Sequence, residues 1–218
     1  MRFLSEYMFP VIVAISGFSS EVGKTTLACD FLRAFPGWEA IKMTRGHYRS
    51  CGKDPHACCV SHLLSEEPVI RSGRAQTYAL GKDTGRYWDA GAANVHWVIV
   101  TDSQVEQGIR LALERVRAPG VLIEGNSFLK FVDANFTVMV SRAEGGKIKA
   151  SARRALPKCS AFYLSDEGHS VATARERFAS WRESHIEREL ISALPVYTRE
   201  ELPQLFAHVK TVHTNLAT

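Results

Sequence analysis

Short apolar runs alternate along the chain with stretches in which apolar residues recur every three or four positions. Residues 11–15, Val-Ile-Val-Ala-Ile, are apolar throughout and mostly β-branched, the pattern of a strand buried on both faces. Leu27, Phe31 and Leu32 at helical spacing predict a helix over 25–35, which Pro36-Gly37 ends. A second strand is predicted over 38–43, closing a βαβ unit whose crossover is right-handed. Residues 44–82 lose the periodicity and read as an irregular insert with one modest apolar helix over 57–64. Order resumes with a short helix over 83–92, a strand over 95–100 and an amphipathic helix over 103–116, carrying Val105, Ile109, Leu113 and Val116 in register. Strands follow over 121–124 and 136–140, then a short helix over 150–156 and a last core strand over 161–164. The tail predicts a charged helix over 170–189, lined by Val171, Ala174, Phe178 and Trp181. Thr198-Arg-Glu-Glu201 forms a capping box that introduces a final helix.

Strands and helices in alternation predict an α/β fold of three layers, a mostly parallel sheet covered by helices on both faces. Ligands in such sheets sit at the C-terminal ends of the strands. The pattern is read as one domain over 1–218, with the insert at about 44–82 and a helical tail at about 168–218.

The break after the first strand carries the chemistry. Ser16-Gly17-Phe18-Ser19-Ser20-Glu21-Val22-Gly23-Lys24-Thr25-Thr26 runs from a buried strand into a helix, the setting of a P-loop. Gly17 and Gly23 free the backbone to aim successive N–H groups, including those of Ser19, Ser20, Glu21 and Val22, into one anion-binding concavity. The N-terminus of the helix behind it favours the same charge. Lys24 would reach the outer phosphates of a nucleoside triphosphate, and the Thr25 hydroxyl would ligate Mg²⁺. Five residues separate Gly17 from Gly23, where the common motif has four.

Composition narrows the setting. Of 218 residues, 45% are hydrophobic and 23% charged, enough apolar material for a sizeable core. A net charge of +4 without dense basic runs argues against nucleic acid or a membrane surface as partner. The first apolar run is only a strand long and follows Glu6, so neither a signal peptide nor a membrane span is expected. Five cysteines, with Cys58 and Cys59 adjacent, do not form a secreted disulfide pattern, and a cytoplasmic protein is expected.

Strand ends bring further candidates to the edge that carries the P-loop. Lys42 ends the second strand, where an unpaired ammonium is costly; a phosphate is one partner for it, and a surface position just past the strand is the alternative. Glu124 ends Val-Leu-Ile-Glu-Gly125, where P-loop proteins place an acid near Mg²⁺ or its water shell, and Asp102 is a rival for that role. Gly81-Lys82-Asp83-Thr84-Gly85-Arg86 is a second dense cluster. Asp83 serves there as a helix cap, or with Lys82, Thr84 and Arg86 as part of a site for a phosphorylated group or the metal. His47, Cys51, His56, Cys58, Cys59 and His62 lack the paired spacing of a zinc site and leave metal binding, a redox-sensitive thiol pair and a plain reduced segment all open.

Ile41-Lys-Met-Thr-Arg-Gly-His47, Gly81-Lys-Asp-Thr-Gly-Arg-Tyr-Trp-Asp-Ala-Gly-Ala92 and Val121-Leu-Ile-Glu-Gly125, in this order, resemble the MobB family of P-loop adaptors in molybdopterin-guanine dinucleotide biosynthesis. The resemblance covers about residues 11–140 and is most specific over 81–92. It implies a GTP-binding protein with weak hydrolysis, commonly dimeric, that assists a molybdopterin nucleotidyltransferase. By that resemblance Lys24, Lys42 and Glu124 would act on the nucleotide phosphates. Thr25, Asp83 and Glu124 would surround Mg²⁺, with Thr26 and Arg86 close by. The longer phosphate loop is instead similar to that of dethiobiotin synthetase, which implies an ATP-dependent ligase or small-molecule kinase. A third class is a P-loop GTPase that holds a metal with its Cys/His run. The guanine-reading Asn-Lys-x-Asp motif is absent, so GTP or ATP is left open.

Overall fold

The computed structural model describes residues 10–46, 60–165, 170–186 and 194–216. The predicted buried run becomes β1 (Val11–Gly17), and the phosphate loop leads into α1 (Lys24–Ala34). There follow β2 (Glu39–Arg45), β3 (Val69–Ser72), α2 (Arg74–Thr77), α3 (Asp83–Asp89) and β4 (Val95–Val100). Next come α4 (Val105–Leu113), β5 (Gly120–Glu124), β6 (Phe136–Ser141), α5 (Ala150–Ala155) and β7 (Ala161–Leu164). The chain ends through α6 (Val171–His185), β8 (Val196–Tyr197) and α7 (Leu202–Leu216).

The described strands form one sheet in the order β3-β4-β2-β5-β1-β6-β7-β8. Every neighbouring pair is parallel except β3 with β4. The two-residue alternation of strand side chains sorts the core into two layers. Val13 and Ile15 of β1, Leu122 of β5 and Val138 of β6 pack with Leu27 and Phe31 of α1, Tyr87 of α3 and Leu205 of α7. Ala14, Ile123 and Met139, one position along, face Ile109 of α4, Ala152 of α5 and Phe178 of α6. Each fully buried Leu, Ile or Phe in these layers contributes about 1.5–3 kcal/mol by leaving water. The expected three-layer P-loop fold is therefore the observed one. β1 lies in the interior of the sheet, between β5 and β6, so the loop that follows it opens at the middle of the sheet edge.

The segment expected to be irregular over 44–82 holds more order than its sequence suggests. β2 continues to Arg45, Val69–Ser72 adds an antiparallel edge strand, and Arg74–Thr77 makes a helical turn. All four residues of β3 are only partly buried, so they lack the apolar run that marks the central strands. Of the helix expected over 57–64, residues 57–59 lie outside the described residues, and Ser61–Leu63 is a single 3₁₀ turn. β7 is not the last strand either, because Val196–Tyr197 pairs beside it. The capping box at Thr198 forms as expected, with the Thr198 N–H donating to Glu201 Oε2 at 3.1 Å. No described helix is long and apolar enough to cross a membrane.

Candidate functional site

Between β1 and α1 the backbone turns through two left-handed residues, Glu21 (φ 60°) and Gly23 (φ 89°). Gly23 is confined as well as turned: a Cβ there would come 2.9 Å from that of Ser165. Gly17 is hemmed in by the lysine that closes the loop and by buried Val22, because a Cβ would lie 2.9 Å from both Lys24 Cδ and Val22 Cγ2. The Lys24 stem crosses back over the loop, and its Nζ donates to the Ser19 carbonyl at 2.7 Å. Burial lowers the Lys24 pKa; Glu124 pulls the other way, while the charges of Lys42 and Lys149 lower it further. The loop's other face is pinned by Asn126, whose Oδ1 accepts from the Gly17 N–H and whose Nδ2 donates to the Gly17 carbonyl, both at 2.9 Å.

A cleft of about 470 Å³ opens above the loop, lined by Ser20, Glu21, Gly23, Lys24, Thr25, Thr26, Lys42, Asp83, Arg86 and Glu124. Of the residues singled out from the sequence for this site, Gly17, Ser19, Val22, Lys82 and Thr84 do not line it. Gly17 lies beneath the Lys24 stem, Ser19 offers its carbonyl to Lys24, and Val22 is a buried core side chain.

At the floor of the cleft a cation and two acids meet. Lys42 Nζ lies 2.6 Å from Asp83 Oδ2 and 2.5 Å from Glu124 Oε1. The anionic partners that its burial demanded are thus two carboxylates of the chain itself. Burial alone would lower the Lys42 pKa, but the charges of Glu124 and Asp83 outweigh it and hold the ammonium above its ordinary value. Burial would likewise raise Asp83, yet Lys42 and the Thr25 hydroxyl bring it below the usual carboxylate range. Thr25 Oγ1 sits 2.9 Å from Glu124 Oε2 and 3.1 Å from Asp83 Oδ1. Glu124 Oε2 also accepts from the hydroxyl of Tyr87, a fully buried side chain. Burial, and then the Glu124 charge, push the Tyr87 pKa well up, so it remains a donor. Arg86 Nη2 donates to Thr26 Oγ1 at 3.1 Å, tying α3 to α1.

Asp102, the rival to Glu124, is elsewhere: it pairs with Arg45 at 2.7 Å in an exposed position. His47, Cys51, His56, Cys58 and Cys59 lie outside the described residues, and His62 sits in the 3₁₀ turn. Among the described residues no three His, Cys, Asp or Glu side chains group as a metal site. A cation in this cleft would draw on Thr25, Asp83 and Glu124, hard oxygen donors of the kind Mg²⁺ takes together with phosphate oxygens and water. That Lys42 already bridges the two acids shows that their arrangement accommodates positive charge.

Sequence reasoning sets Asn126 on the edge that carries the P-loop without giving it a role, and passes over Tyr87 and Lys149. Tyr87 had a signal, four residues after Asp83 and so on the same helical face. Asn126 follows Gly125 and the acid that ends β5, but nothing local ties it to Gly17. Lys149 had none; its Nζ donates to Ser20 Oγ at 2.7 Å across 129 positions of sequence.

The architecture and the loop after β1 define the P-loop NTPase fold. The chain is similar to the structure of HypB from Helicobacter pylori in complex with nickel, at 14% identity and a TM-score of 0.52, over 95% of this chain and 88% of that one. A second similar structure, the signal recognition particle 54 kDa protein from Aeropyrum pernix K1 in complex with GDP, shares 12% identity at a TM-score of 0.43, over 96% of this chain and 49% of that one. No family model matches the chain, and no curated protein matches it.

Proposed function

We propose that the protein binds a Mg²⁺–nucleoside triphosphate in the cleft above β1 and acts as a MobB-type adaptor in molybdenum cofactor biosynthesis, with slow hydrolysis of its nucleotide. One observation carries the nucleotide assignment: Lys24, Thr25, Lys42, Asp83, Arg86 and Glu124, drawn from four separate stretches of sequence, line a single cleft at the C-terminal edge of a parallel sheet. Loop amides and the start of α1 receive phosphates, Lys24 neutralises them, and Mg²⁺ screens the charge between them. Thr25, Asp83 and Glu124 hold that ion. The MobB assignment draws on the 81–92 segment, which forms α3 and supplies Asp83 and Arg86 to the cleft. GTP as the nucleotide, a molybdopterin nucleotidyltransferase as partner and a homodimer as the working form belong to this same reading.

Calorimetric titration with GTP, ATP and their non-hydrolysable analogues, with and without Mg²⁺, tests it. Tight Mg²⁺-dependent GTP binding with slow turnover is the expected result. No binding of either triphosphate overturns the assignment.

The phosphate loop supports a second reading. Its five residues between Gly17 and Gly23 suit a dethiobiotin-synthetase-like ligase or small-molecule kinase, and a clear ATP preference in the same titration would favour it. A third reading draws on the Cys/His run over 47–62 and on the HypB structure, which holds nickel. A Cys58→Ser/Cys59→Ser chain that purifies with as much nickel as the unsubstituted protein would remove it.

A further inference from the structure

Lys149 stands on the rim of the cleft, just outside the residues that line it. β6 runs parallel to β1, so the chain leaving β6 passes alongside the phosphate loop. The support beneath Lys149 is firm. Arg142 and Gly145 form a bridge, Ala143 and Ile148 are buried, and Gly145 lies so close to the Trp181 indole that no Cβ would fit. From this base the Lys149 N–H donates to the Phe18 carbonyl at 2.8 Å, and its Nζ reaches Ser20 Oγ at 2.7 Å. The residue thus holds the loop at two points.

The other cations of the cleft are engaged differently. Lys24 donates to a loop carbonyl, Lys42 is matched by two carboxylates, and Arg86 faces Thr26 on α1. Lys149 brings its ammonium to a neutral hydroxyl on the crest of the loop, and its charge contributes to the low pKa of Lys24. We propose that Lys149 is a catalytic lysine supplied in cis: it donates to the phosphoryl group in transfer and stabilises the charge that builds there. The proposal rests on the reading of the cleft as a triphosphate site. Water attacks the γ-phosphorus and forms the new P–O bond. The bond from that phosphorus to the β–γ bridging oxygen breaks, its electron pair leaves with the diphosphate, and the proton of the water passes to solvent. A cation placed at this point does the work of an arginine finger.

The test uses the full chain with Lys149→Ala and Lys149→Arg. Lys149 is exposed and its hydrogen bond to Phe18 is made by the backbone, so the alanine variant keeps the fold. Three quantities are read: affinity for a β,γ-imido triphosphate, single-turnover phosphate release, and capture of aluminium fluoride with the diphosphate. Lys149→Ala is expected to hold its affinity within about threefold while phosphate release falls by about 100-fold and fluoride capture is lost. Lys149→Arg retains most of both. An unchanged rate, or equal losses in affinity and rate, overturns the proposal. So does an unsubstituted protein that binds the triphosphate yet neither releases phosphate nor captures fluoride. An unsubstituted protein that binds no triphosphate removes the reading of the cleft itself, and Lys149 with it.

Discussion

Lys24 and Tyr87 illustrate two ways in which a single side chain serves the cleft. Lys24 supports no core layer: its stem lies over Gly17 and its ammonium meets one carbonyl. Lys24→Ala should therefore leave the unfolding midpoint nearly unchanged while triphosphate affinity falls about 10- to 100-fold, the worth of one charged hydrogen bond. Calorimetry beside a thermal melt checks both halves. Tyr87 acts in the opposite sense. Its hydroxyl satisfies a buried oxygen of Glu124, so Tyr87→Phe should cost about 1–3 kcal/mol in denaturant unfolding. How far each was legible follows from where its partners lie. The Lys24 setting is written in eight consecutive residues between an apolar run and a helix. Tyr87 is decided by a glutamate 37 positions away, and Lys149 by a serine still more distant, pairings that only a folded chain displays.

At the scale of elements, α3 presents Asp83, Arg86 and Tyr87 on one face, each touching a different part of the site. Its height over the cleft is set by Gly85, where an added Cβ would run into the Ala79 carbonyl oxygen. Gly85→Ala should push α3 outward, lowering stability by about 1–3 kcal/mol and weakening triphosphate binding at the same time. Unfolding and binding measured on one preparation would show the two losses together. The sequence made the helix legible through Asp83 and its neighbours, but β3 and β8 escaped. A half-exposed four-residue edge strand and a two-residue one carry too few buried positions to establish a period. β3 is held instead by a contact no periodicity reveals. Ser72 Oγ lies 2.8 Å from His96 Nδ1, and His96 Nε2 lies 2.7 Å from Glu39 Oε2, a chain of side chains spanning β3, β4 and β2.

For the molecule as a whole these buried charges set the pH range of stability. Burial would raise Glu39, but hydrogen bonds from His96 and from the Arg117 and Ala118 N–H groups hold it below its ordinary value. Asp83 is also depressed, beside Lys42. Both contribute fully above the unfolded carboxylate range, about pH 4, and their contribution is lost as pH falls through the folded values. Lys42 is raised, so its share is full below about pH 10.4 and is lost as pH rises through its folded value. Denaturant unfolding between pH 3 and 7 should show an acid limb that Glu39→Gln flattens more than Asp83→Asn does, because the Glu39 side chain is 6% exposed while that of Asp83 is 41% exposed. The placement of β1, flanked on both sides and far from either margin of the sheet, has a further consequence. Its amide protons should exchange with deuterium only when the entire chain opens, whereas those of β3 and β8 should exchange through fraying at the margins. The phosphate loop would then be anchored, at its N-terminal side, to the slowest-exchanging backbone in the protein.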